Sequence, residues 1–175
     1  MTEQDGQGER RRIGLTMQAL AWFSFILLGV FFFSDLLERQ YNPNRNVETR
    51  AAADLVEVRL RRNRHGHYVT AGEINGRPVT FLLDTGATGV AVPVALAQRL
   101  QLQRGRPLVT RTANGTVTAY ATVLDSVSVG GIELGGVGAT IAPGLGGEEV
   151  LLGMSFLKHI EFTQRGDTLI LRQYL

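Results

Sequence analysis

Residues 81–93 read FLLDTGATGVAVP. Asp84 is the one charged residue between Arg77 and Arg99. It follows Phe81-Leu82-Leu83, a run apolar on both faces, as expected of a strand with neighbours on either side in a sheet. It precedes Thr85-Gly86-Ala87-Thr88-Gly89, in which two glycines permit a sharp turn that brings backbone N–H groups to the acid, and Thr85 offers a hydroxyl. A carboxylate set in apolar surroundings costs several kcal/mol unless it is paired, hydrogen-bonded or neutralised. The plainer reading of the triplet is a turn aspartate that closes a strand. The chain on either side decides between the two.

Working outward, the dominant period is two. Val56, Val58 and Leu60 alternate with Glu57, Arg59 and Arg61, the pattern of a half-buried strand. Asn75-Gly76 stands between the strand-like runs HYVTAGEI and RPVTFLLD, a strong hairpin signal. One short helix is expected in PVALAQRL, with Pro93 near its first turn, and another in MSFLKHI. LVTRT, TVTAYATVLDSVSV, IELGGVGATIAP and VLLG read as strands, and EFTQRGDTLILRQ as a last hairpin turning at Arg165-Gly166-Asp167. Residues 55–175 therefore read as an all-β domain with one or two short helices.

The N-terminal part has another character. Ile13 to Ser34 is a run of 22 residues without charge, long enough to cross a hydrocarbon core about 30 Å thick. Arg10, Arg11 and Arg12 precede it, and Asp35 and Glu38 follow it. The positive-inside rule then places residues 1–12 in the cytoplasm, 13–34 across the bilayer and the remainder outside. A cleaved signal peptide is the rival. Its apolar core is shorter and ends in small residues, whereas this run closes on Phe31-Phe32-Phe33. Residues 35–54, with the turn signal Asn42-Pro43-Asn44 and no sustained period, are expected to form a flexible tether.

Composition removes other classes. The 175 residues contain no cysteine, which excludes a disulfide scaffold, a thiol nucleophile and a thiolate-bound zinc. Seventeen of the 21 glycines lie from Leu55 onward, where turns use them. Seventeen Arg and one Lys nearly balance 16 acids. The basic cluster Arg59, Arg61, Arg62 and Arg64 reads as the solvent face of a strand, so nucleic acid is not an expected partner. His65-Gly66-His67 lacks a third ligand nearby and reads as a loop, with no metal site.

The segment at Asp84 resembles the active-site segment of aspartic proteases, in which apolar residues flank Asp-Thr/Ser-Gly-Ala/Ser/Thr. Val150-Leu151-Leu152-Gly153 resembles the apolar strand that these folds thread behind the active-site loop, and a helix follows it as in that family. Between the two, Ala113-Asn114-Gly115-Thr116 stands where retroviral proteases carry a flap, although a plain hairpin fits the same residues. With the N-terminal run, the chain resembles the bacterial retropepsin-like aspartic proteases tethered by one helix, the likeness covering about residues 55–175. The resemblance implies a closed, barrel-like single lobe and a catalytic Asp84 supported by Thr85, Gly86 and Ala87. It also implies a flap over 113–116, a threading strand at Leu151, Leu152 and Gly153, and no cofactor. Thr88 departs from the pattern, since retroviral enzymes carry an acidic residue there.

Chemistry of this kind needs two carboxylates sharing one proton. Asp125-Ser126-Val127 and Asp167-Thr168-Leu169 lack the glycine, so one chain supplies one half-site. The resemblance then implies a homodimer, with Asp84 of each copy at the two-fold axis and Leu169–Leu175 as a dimer strand. The function expected is endopeptidase action on protein or peptide substrates on the periplasmic side of a bacterial inner membrane. The alternative is a non-catalytic binding or dimerisation module on the same fold.

Overall fold

The computed structural model describes residues 3–112 and 115–175, with side chains over 14–110 and 115–175. Two units separate, residues 1–39 and 40–175. The first is nearly all one helix, α1 (Glu3–Tyr41). Its part Gly14–Tyr41 is long and apolar enough to cross a membrane, and none of it is buried in the protein. Trp22, Phe25, Leu28 and Phe31 all lie exposed. The charge-free stretch 13–34 alone rises about 33 Å, close to one hydrocarbon thickness. The helix runs past Ser34 because the next turns carry helix-forming Leu, Glu and Arg, with Asp35 and Arg39 paired at 2.8 Å one turn apart.

The tether expected over 35–54 is therefore not coil throughout. Its start is helical to Tyr41, and its end contains strand β1 (Glu48–Ala51). Between them Asn44 is buried and acts as a clamp. Its Nδ2 donates to the carbonyls of Arg61 (2.9 Å) and Val69 (2.7 Å), and its Oδ1 accepts from the Arg61 N–H (2.6 Å). Its carbonyl also accepts from Ala71 N–H at 3.1 Å. Composition could not show this, because the bonds are to distant backbone. Asn44→Ala orphans three backbone groups, the buried Val69 carbonyl and the part-buried N–H and carbonyl of Arg61, and is expected to cost about 3 kcal/mol, lowering the melting temperature by about 10 °C in a thermal scan.

The second unit is all-β. A seven-stranded sheet holds β3 (Val69–Ile74), β4 (Arg77–Leu83), β9 (Glu149–Leu152), β5 (Val90–Pro93), β8 (Ile132–Ala142), β7 (Gly115–Val129) and β6 (Pro107–Thr112), in that spatial order. Pairing of Glu73 with Ser128 and Ile74 with Val127 joins β3 back to β7 and closes six strands into a barrel, with β6 outside. The β3–β4 turn uses Asn75 and Gly76 at φ of 51° and 70°, the left-handed conformation that tight hairpins need. Helix α2 (Val94–Arg99) follows Pro93, and α3 (Met154–Leu157) is shorter than the MSFLKHI run predicts.

A second sheet has the order β1, β2 (Leu55–Arg61), β11 (Thr168–Tyr174), β10 (Glu161–Arg165). One face gives Val58, Leu60 and Leu171 to the core, where Phe81, Phe156, Leu124 and Ile141 are fully buried. The other face is charged. Glu57 accepts from Arg59 (2.8 Å) and Arg172 (2.9 Å), and these two guanidinium groups hold its carboxyl below the usual range. Of the segment Leu169–Leu175 expected as a dimer strand, β11 pairs with β2 as far as Tyr174 and with β10 as far as Arg172, so Gln173 and Tyr174 have a strand neighbour on one side alone among the described residues.

Candidate active site

Asp84 is the first residue beyond β4, and the chain needs three devices to hold it there. Strand β9 lies between β4 and β5, parallel to β4 (Leu83 opposite Leu152) and touching β5 at Ala91 opposite Leu151. The carbonyl of Leu152 accepts the Asp84 N–H at 3.2 Å. Within the loop, Gly86 N–H donates to Asp84 Oδ1 at 2.9 Å and Ala87 N–H to the Asp84 carbonyl at 3.2 Å. The start of α3 then closes the far side: Met154 N–H donates to the Ala87 carbonyl (2.9 Å), and Ser155 Oγ accepts from Val90 N–H (2.9 Å).

Gly153 marks the crossing point. A Cβ there would lie 2.4 Å from the Gly89 carbonyl oxygen and 2.6 Å from that of Ala87. Its φ of −97° is open to any residue, so space alone selects glycine.

Asp84 is half-buried, not sealed in the apolar core as its neighbours in sequence suggest. It stands at the rim of a recess of about 360 Å³ lined by Tyr68, Leu83, Thr85, Leu157, Phe162, Gln164 and Leu169. No other carboxylate lines this recess among the described residues. Thr85, Gly86 and Thr88 are exposed on the loop, and Ala87 is half-buried. Burial raises the Tyr68 hydroxyl above its ordinary range, and among the described residues this oxygen is buried with no hydrogen-bond partner.

Of the flap residues, Ala113 and Asn114 lie outside the described residues. Gly115 and Thr116 open β7, opposite Thr112 and Arg111 of β6. No described residue of that hairpin lines the recess. Sequence reasoning found the loop and the threading strand but missed Tyr68, Ser155, Phe162 and Gln164. Phe162 and Gln164 share one face of β10, a period-two signal that could have been read but for which the sequence gives no destination.

A closed β lobe whose Asp-Thr-Gly loop is crossed behind by an apolar strand ending in glycine defines a retropepsin-like aspartic protease lobe. Residues 70–159, half of the chain, match the family described as "gag-polyprotein putative aspartyl protease", and the chain belongs to it. It is similar to a retropepsin-like aspartic protease from Rickettsia conorii seen in a crystal structure. The two are 29% identical, with a TM-score of 0.58 over 74% of this chain and 95% of that one. An uncharacterised protein from the cobV 5′ region of Sinorhizobium sp is 29% identical over 177 residues, 93% of this chain and 76% of the relative. An uncharacterised protein of Rickettsia prowazekii (strain Madrid E) is 28% identical over 164 residues, 88% of this chain and 70% of the relative.

Proposed function

We infer that the chain is a membrane-anchored aspartic endopeptidase whose active centre forms between two copies. The observation that carries this reading is the half-exposed Asp84, held by Gly86 N–H at a recess that contains no second carboxylate among the described residues. Two such loops meeting on a two-fold axis supply the pair that one chain lacks.

With the carboxyls about 3 Å apart only one ionises. The ionised Asp84 accepts a proton from a water, whose oxygen bonds to the scissile carbonyl carbon. The neutral Asp84 gives its proton to the carbonyl oxygen. Collapse of the tetrahedral species breaks the C–N bond as a proton passes to the leaving nitrogen. Thr85 would brace the two loops across the axis. No covalent intermediate and no metal or cofactor enter these steps. The substrates fitting this reading are extended segments of proteins on the side of the membrane that holds the domain, with apolar side chains near the cut, because Asp84 is the one charged residue lining the recess among the described residues.

Helix α1 would hold both copies in one bilayer, with residues 1–12 in the cytoplasm and the domain in the periplasm. The absence of cysteine allows a direct check. In intact cells a membrane-impermeant maleimide is expected to label Arg50→Cys and not Gln4→Cys, and the reverse pattern would invert the topology.

The function is tested by incubating the full chain in detergent with a proteome-derived peptide library between about pH 4 and pH 8, wild type beside Asp84→Asn. Cleavage by the wild type alone supports the reading. Absence of cleavage from a folded, dimeric wild type would leave a binding or dimerisation module.

A further inference from the structure

We propose that residues 61–67, the end of β2 and the turn that follows it, rest on the anionic phospholipid headgroups of the leaflet from which α1 emerges. The proposal rests on the membrane-anchored reading above and adds to it a second contact, specific for lipid charge.

Charge is the first support. Of residues 61–67 all but Asn63 are exposed, and they include Arg61, Arg62, Arg64, His65 and His67. No acid occurs between Glu57 and Glu73. Nearby acids are engaged: Asp167 pairs with Arg62, and Glu149 accepts from the Tyr41 hydroxyl. The last two turns of α1 carry Asp35, which pairs with Arg39, and Glu38.

Place is the second. Tyr41 ends α1 and belongs to the same unit as the turn. Asn63 Nδ2 donates to the Tyr41 carbonyl at 3.0 Å, and the Arg64 guanidinium donates to Gln40 Oε1. The rings of Tyr41 and His65 lie 6.4 Å apart. The uncharged run ends at Ser34, and Tyr41 stands seven residues further on. Seven helical residues rise about 10 Å, and a headgroup layer is about 5–7 Å deep. The turn therefore begins where lipid phosphates end, within reach of long arginine side chains, and a tyrosine at that level suits the interface.

Rigidity is the third. Asn63 is buried, and its Oδ1 accepts from the N–H groups of His65 (2.9 Å) and His67 (3.0 Å). Its own N–H donates to the His67 carbonyl (2.8 Å), and its carbonyl accepts from Gly66 N–H (3.1 Å). The turn is thus formed before it meets a partner, and docking costs little ordering. Nucleic acid carries phosphate as well, but an apolar helix joined to the turn keeps lipid beside it at high effective concentration.

The test uses the full chain reconstituted in nanodiscs, either of phosphatidylcholine alone or of phosphatidylcholine and phosphatidylglycerol in equal parts. The chain has no cysteine, so His65→Cys takes a single nitroxide label, and Val109→Cys on the exposed face of β6 gives the comparison. With phosphatidylglycerol, the label at position 65 is expected to meet a nickel chelate carried on lipid headgroups, and the label at 109 is not. One arginine near an anionic surface changes the docked-to-free ratio about fivefold, so Arg61→Gln together with Arg64→Gln should lower it about 25-fold. High salt should release the turn in the same way. A label at 65 that stays in water in both discs overturns the proposal while the anchored reading stands. So does one that meets headgroups equally in neutral discs and in the double variant. A response to added duplex DNA, with none to phosphatidylglycerol, would assign the patch to nucleic acid and overturn it too. Extraction of the chain from membranes by alkaline carbonate would overturn the anchor itself, and this proposal with it.

Discussion

Asp84→Asn is expected to lower peptide cleavage at least about 10³-fold and to leave the fold in place. The substitution keeps size and shape, and the amide oxygen can still accept the Gly86 N–H that Asp84 Oδ1 accepts at 2.9 Å. On the proposed mechanism, what disappears is the group that takes a proton from water and the group that gives one to the carbonyl, since the two copies lose both carboxyls at once. Asp84 is half-buried and leaves no orphaned core charge behind, so the melting temperature should move by no more than about 3 °C. The proposed two-copy site adds a quantitative signature. A mixed dimer has one carboxyl and should be inactive, so activity should fall as the square of the wild-type fraction when the variant is mixed in. A linear fall would show that each chain works alone.

Gly153→Ala is expected to be strongly damaging to both the fold and the site. The added carbon would sit 2.4 Å and 2.6 Å from two carbonyl oxygens and 2.8 Å from a carbonyl carbon, all backbone atoms of the loop 87–89. No side chain can swing aside there, so either the loop or the start of α3 must move. The cost is about 3 kcal/mol or more, seen as a fall in melting temperature of about 10 °C. The displaced loop also carries Asp84, through the bonds of Met154 N–H to Ala87 and of Asp84 N–H to Leu152. Whatever folds should therefore cleave about 100-fold more slowly, because a shift of about 1 Å at a reacting group is enough for that. Gly138→Ala, at a glycine with open space around its Cβ position, is the control and should leave both readings unchanged.

Much of this was legible in the residues. Alternation in β2, Asn75-Gly76 and the turn at Gly166 each encode local structure, because hydrophobic period and left-handed backbone need few neighbours. The loop at Asp84 and the apolar run ending at Gly153 were legible together, since each is unusual and their order is fixed. Three features were not. Asn44 binds backbone at Arg61 and Val69, which no local pattern announces. The second sheet places β11 between β2 and β10, a matter of tertiary pairing, and encloses the terminal strand as far as Arg172. The recess takes its walls from Tyr68, Leu157 and Phe162, which meet only after both sheets have formed. Local chemistry fixes elements, and long-range contact decides which of them share a cavity.

The crossing of β9 behind the Asp84 loop carries a consequence for the life of the chain. Leu83 finds its partner Leu152 at a sequence separation of 69. Until the segment through Gly153 has been made, the loop has nothing behind it to fix its shape. Contacts of such sequence separation form late and slowly. A nascent chain emerging from the ribosome therefore carries its aspartate before the segment that shapes the loop around it has been made. On the proposed reading, the order in which the polypeptide is made keeps the hydrolytic centre unassembled until that segment has emerged.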